Sequence, residues 1–95
     1  MPNLYLIQGP VEYLGEDTYD SAVVCANSEE EARCIHPDGD YIFINERFVS
    51  KDGYACNDKN FRGWVHPNYV GVTLIGVSAD YIQAGTIVCA SYNAG

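Results

Sequence analysis

The strongest constraint on this chain is a helix that starts cleanly and has nowhere to go. Ser28 followed by Glu31 forms a capping box, and Glu29, Glu30 and Glu31 fill the first turn, where carboxylates meet the positive end of the helix dipole. Pro37 then lacks the amide proton that a continuing helix needs and pushes His36 out of helical geometry, which leaves about two turns. Ala32 and Ile35 can face a sheet with Cys34 at the edge, while Glu29 and Arg33, spaced i,i+4, can pair on the outer surface. The other apolar segments are short and bounded by turn residues: Asn3 to Gln8, Ser21 to Ala26, Tyr41 to Ile44, Val70 to Val77 and Thr86 to Tyr92 read as strands. The expected fold is α+β, a mainly antiparallel four- to five-stranded sheet with one short helix packed on one face, forming a single domain over residues 1–95.

Those strands are apolar on both alternating faces. Ala22-Val23-Val24-Cys25 has no polar side; Val70, Val72 and Leu74 oppose Thr73, Ile75 and Val77; Ile87 and Cys89 oppose Val88 and Ala90. The last two strands are expected to pair as antiparallel neighbours, joined by Ser78 to Gly85. A two-turn helix cannot cover both faces of such a sheet, so either the long irregular stretch from Asn45 to Tyr69 folds across the second face or another copy does. A homo-oligomer is expected, the more so because 95 residues bury only about 60–65% of their unfolded surface.

Thirteen acidic against five basic residues give a net charge of -8, which repels phosphate backbones and anionic headgroups. Direct nucleic-acid and membrane partners are therefore not expected; a small ligand held by a few local donors, or a basic protein, remains open. No apolar run reaches the length of a membrane span and the N-terminus lacks the flanks of a secretory signal, so a cytoplasmic location is expected. Cys25, Cys34, Cys56 and Cys89 show no CxxC spacing and read as reduced, mostly buried thiols.

Catalysis finds no support in the residues. The nucleophile elbow, the phosphate-cradling loop and the dinucleotide glycine motif are all missing, so no enzymatic activity and no cofactor are expected. His36 and His66 each precede a proline and lack a partner at metal-ligand spacing; they read as hydrogen-bonded turn histidines, with no metal expected. The echo between Ile35-His36-Pro37-Asp38 and Val65-His66-Pro67-Asn68 reads as shared turn chemistry.

Binding has more to work with. Aromatics make up 13% of the chain, and the only tryptophan, Trp64, lies in the irregular stretch together with four of the five basic residues. Arg62-Gly63-Trp64 places a guanidinium, a closely approachable backbone and a stacking ring side by side. Tyr5, Tyr41 and Tyr92 read as packing residues. Tyr19, Arg33, His36, Arg62, Trp64 and Asn93 are the candidate ligand-binding residues, with Ser91 and the Gly95 carboxylate as a polar rim beside Asn93.

Tyr19-Asp20-Ser21-Ala22-Val23-Val24, Asn27 to Arg33 with Ile35-His36-Pro37, Leu74-Ile75-Gly76 and the ending Cys89-Ala90-Ser91-Tyr92-Asn93-Ala94-Gly95 together resemble short uncharacterised phage-encoded accessory proteins. That resemblance covers roughly half of the chain and leaves the segment from Asp38 to Asn68 unmatched apart from Gly63-Trp64. It implies a role against bacterial immunity inside the host cell. Two modes fit. The expected one is an oligomeric sponge that sequesters a signalling nucleotide through the candidate residues named above; the alternative is an acidic inhibitor similar to many anti-CRISPR proteins that blocks a Cas effector or another defence nuclease.

Overall fold

The computed structural model describes residues 2–10, 18–39, 41–50 and 64–93. In chain order the elements are β1 (Asn3–Gln8), β2 (Thr18–Ala26), α1 (Glu29–Arg33), β3 (Tyr41–Ile44), β4 (Arg47–Ser50), a 3-10 turn (Pro67–Tyr69), β5 (Gly71–Val77) and β6 (Ile87–Asn93). The fold is α+β: a four-stranded antiparallel sheet ordered β5-β1-β2-β6, and a separate β3-β4 hairpin.

The helix is shorter than the two turns expected, ending at Arg33 well before Pro37. Ser28 caps it, its Oγ accepting from the Glu31 amide at 3.1 Å, and the chain leaves helical geometry at Cys34. Arg33 pairs with Glu29 at 3.0 Å on the outside, and Ala32 is buried against the sheet.

Register shows which face is the core. Tyr5 stands opposite Val24, Ile7 opposite Ala22 and Asn3 opposite Ala26, and directly paired residues share a face. Ala32, Phe48, Trp64 and Val70 join Tyr5, Ile7, Ala22, Val24 and Ala26 in one buried cluster, so the centre of this face is covered by the helix, the hairpin and the segment entering β5. The opposite face carries Leu4, Leu6 and Val23, all half-buried, with Thr73 and Cys89 exposed beside them. Cys25 is the exception on that side. The connection between β5 and β6 passes over it: the Gly85 amide donates to its carbonyl at 2.7 Å, and its own amide donates to the Thr86 carbonyl at 2.8 Å.

Three expectations are corrected. β5 and β6 are the two opposite edges of the sheet, because β1 and β2, which carry the most completely buried side chains, take the centre. The simple alternation along both strands also fails. A bulge makes Ile75 the extra residue, since Tyr5 pairs with Leu74 but Leu4 with Gly76, and this brings Val77 onto the same side as Leu74. A second bulge leaves Val88 over, with Val24 opposite Ile87 and Val23 opposite Cys89, so Ile87 and Cys89 lie on different faces. Finally, the stretch after Asn45 is not irregular throughout, for Arg47–Ser50 pairs with β3.

The hairpin turn is Asn45-Glu46, both with positive φ (54° and 66°), the pattern of a two-residue type I′ loop. Asparagine suits this region, whereas glutamate pays for it. Glu46→Gly should raise stability by about 0.5–1 kcal/mol even though it removes a side-chain contact, and Glu46→Ala, which keeps the strain and loses the contact, should lower it. Urea unfolding midpoints distinguish the two.

Candidate functional site

The repeated His-Pro tetrapeptides adopt one turn twice. In each, the histidine Nδ1 accepts from the amide two residues on at 3.0 Å (Asp38 and Asn68), and the histidine carbonyl accepts from the amide three residues on at 2.9 Å (Gly39 and Tyr69). An accepting Nδ1 leaves the neutral ring's proton on Nε2. In His66 that Nε2 donates to Glu46 Oε2 at 3.0 Å, tying the hairpin turn to the 3-10 turn. The reading of both residues as hydrogen-bonded turn histidines holds.

The two turns flank the hairpin. The His36 ring lies 5.0 Å from Phe48, edge to face, and 4.9 Å from Tyr41; the His66 ring lies 5.2 Å from Phe43, and Phe43 and Phe48 are 5.1 Å apart. On the other side Tyr19 reaches toward His36 at 6.3 Å and stacks edge-on against Tyr92 at 4.8 Å. A continuous row of rings therefore runs from β6 through the core to the 3-10 turn. Edge-to-face pairs of this kind add to simple burial.

Beside this row is a pocket of about 270 Å³, walled by Ile35, His36, Tyr41, Phe43 and Ile87, with Glu31 and Cys34 on its rim. Gly39 also lines it; its φ of 85° favours glycine, and a Cβ there would stand 3.1 Å from Ile87 Cδ1, so that side chain would have to shift by a few tenths of an ångström to admit one. The volume suits one planar ring system, and the walls suit apolar or aromatic matter. No Lys or Arg lines it among the described residues.

The candidate ligand residues do not converge. Tyr19 and His36 are close together, His36 with no solvent exposure, and Asn93 ends β6 in register opposite Thr18, one pair from Tyr19. Arg33 points elsewhere: its Nη1 donates to the Val70 carbonyl at 2.6 Å and its Nη2 to Glu29, so the guanidinium anchors the start of β5 to the helix. Trp64 is buried in the core cluster, and its ring packs there. Its Nε1 has no hydrogen-bond partner among the described residues. Arg62 lies outside the described residues, as does Cys56. The pocket residues Cys34, Tyr41, Phe43 and Ile87 were not singled out as a site. The duplicated His-Pro turn on either side of the hairpin was the available signal.

Cysteine burial is uneven and corrects the expectation of mostly buried thiols: Cys25 is buried, Cys34 half-buried and Cys89 exposed, all three free. Burial pushes the Cys34 thiol above its ordinary range, and Glu30 and Glu46 add to the rise against the opposing pull of Arg33. A thiol held protonated at neutral pH is a poor nucleophile. Of these three thiols, iodoacetamide at neutral pH should label Cys89 first, Cys34 slowly and Cys25 last, as read by peptide mass spectrometry. Because the folded chain holds the Cys34 proton more tightly than the unfolded one, this group lowers stability as pH rises above the thiol's ordinary value of 9.0, and has no effect well below it.

Among the described residues no group of three His, Cys, Asp or Glu side chains is placed to hold a metal ion, and no helix is long and apolar enough to cross a membrane. No known protein-family model, curated protein or solved structure matches the chain.

Proposed function

We propose that this chain is a non-catalytic binding protein that acts through protein–protein contact, presenting an acidic face to a basic partner. In the setting of the phage accessory proteins it resembles, the partner is the nucleic-acid channel of a host defence nuclease. The observation that carries this reading is the distribution of charge around the short helix. Glu29, Glu30 and Glu31 are exposed on its first turn, and Glu46 of the hairpin is near enough to join Glu30 in raising the Cys34 thiol. Arg33, the cation in their midst, is already bound to Glu29 and the Val70 carbonyl. Carboxylates so arranged offer phosphate-like charge to a basic channel and speed encounter with it. The test is a binding titration against a purified Cas effector or other defence nuclease. Replacing Glu29, Glu30 and Glu31 together by glutamine should weaken binding by about tenfold or more, and salt should weaken it in parallel. Binding indifferent to both would overturn the reading.

The aromatic pocket supports a second mode, sequestration of a signalling nucleotide by stacking of its base. Against it stand Glu31 on the rim and the engagement of Arg33 elsewhere, which leave phosphates without a described cation. Calorimetry with cyclic dinucleotides and ADP-ribose derivatives decides between the modes. Tight, saturable heat that Tyr41→Ala abolishes would install the sponge in place of the inhibitor.

A further inference from the structure

We propose that the pocket between α1, the hairpin and β6 is a socket for one arginine side chain of the basic partner. This rests on the reading of a basic partner and names what that partner inserts. The pocket holds about 270 Å³, under the roughly 300–1,000 Å³ usual for small-molecule sites, so a single side chain is the guest that fits.

Three features select a cation. Tyr41 and Phe43, two residues apart on β3 and so on one face of it, place two rings in the wall, and ring faces attract positive charge. Glu31 stands on the rim. Of the three helix carboxylates, Glu29 and Glu30 lie 3.0 and 3.8 Å from the Arg33 guanidinium, whereas Glu31 makes no ion pair among the described residues. No described Lys or Arg lines the pocket to answer its charge. Third, Glu30 and Glu46 add their negative field at Cys34, another lining residue.

The walls then select guanidinium over ammonium. Ile35 and Ile87 complete them, so a guest must shed water to enter. A guanidinium is weakly hydrated and lies flat against a ring, whereas an ammonium holds its water tightly and needs three acceptors. A neutral ring would suit the walls and leave Glu31 unanswered; a phosphate would meet it with like charge. Arginine is also a common anchor at the centre of protein interfaces.

NMR titration with blocked tripeptides tests the socket without any nuclease. A Gly-Arg-Gly peptide should shift the Cys34, Tyr41 and Ile87 signals saturably. The same peptide with lysine should bind about tenfold more weakly, and with citrulline, which keeps the shape and loses the charge, more weakly still. Glu31→Gln should weaken the arginine peptide by about three- to fivefold. Glu29→Gln removes the same charge from a carboxylate already paired with Arg33 and should leave binding unchanged. Glutamine at position 31 keeps both the capping pattern and the amide that donates to Ser28, so the helix is retained. No saturable shift at those residues, equal binding of the citrulline peptide, or indifference to Glu31→Gln would each overturn the proposal. So would adenosine shifting the same signals where the arginine peptide does not, which would assign the pocket to a neutral base. Nuclease binding is read in a separate titration, so failure of the socket and failure of the acidic face are distinguishable results.

Discussion

His36→Ala should cost this small domain about 3–5 kcal/mol, a large share of the roughly 5–15 kcal/mol that separates folded from unfolded states in such proteins. The ring has no exposure, touches Phe48 and Tyr41 and faces Tyr19, and its Nδ1 is the acceptor for the Asp38 amide. Alanine therefore opens a cavity in the centre of the ring row and orphans a turn donor at once. His36→Asn separates the two contributions. An asparagine oxygen can accept the same amide two residues on, so this variant should regain about 1 kcal/mol over alanine while the cavity remains. The expected result is a urea midpoint ordered wild type, Asn, Ala. Equal midpoints for Asn and Ala would show that the turn bond contributes nothing.

Trp64 carries the second large effect, and it splits by substitution. Trp64→Ala should lose about 3–5 kcal/mol, because the indole belongs to the core cluster with Ile7, Phe48 and Val70. Trp64→Phe should lose far less, within about 1.5 kcal/mol. It removes some volume, but it also removes a buried Nε1–H that finds no acceptor among the described residues, and a donor of that kind costs about 1–3 kcal/mol to keep buried. A phenylalanine variant as unstable as the alanine one would mean that the nitrogen is satisfied and that the indole is held by more than packing.

Features written in local chemistry were the ones readable from the chain. Ser28 and Glu31 mark the start of α1, and the Glu29–Arg33 pair follows from i,i+4 spacing, whereas the helix stops at Arg33, short of the two turns that Pro37 allows. Tyr41–Ile44 is a strand in the structure as in the reading, because β-branched and aromatic residues leave few alternatives. β4 escaped notice because four residues, Arg47 to Ser50, give too little alternation, and because its turn is Asn45-Glu46 without the glycine that usually announces a type I′ loop. The bulges at Ile75 and Val88 have no local marker; ordinary β-branched residues occupy both. Placing β5 and β6 at opposite edges depends on long-range competition for the centre, which β1 and β2 win by burying Ile7, Val24 and Cys25 completely.

The candidate site was legible only in part, for a related reason. Arginine and tryptophan in a loop suggest a ligand as readily as they suggest a structural anchor. Here Arg33 spends its donors on Val70 and Glu29, and Trp64 fills the core. Tyr19 and His36 do come together, but as members of a ring row whose pocket is completed by the hairpin. The expectation that a short helix leaves the sheet incompletely dressed has a structural counterpart: α1, the hairpin and Trp64 cover the centre of one face but leave Leu74 and Val77 at its β5 edge exposed, and the other face keeps Leu4, Leu6 and Val23 half-buried.

The proposed function turns on the exposed carboxylates of α1, Glu29, Glu30 and Glu31. The salt dependence of the association rate with a purified defence nuclease measures their part most directly. The account predicts that wild-type association slows steeply as salt rises, and that the protein with all three replaced by glutamine associates slowly and with a much flatter salt dependence. Equal association rates for the two proteins at every salt concentration would contradict it.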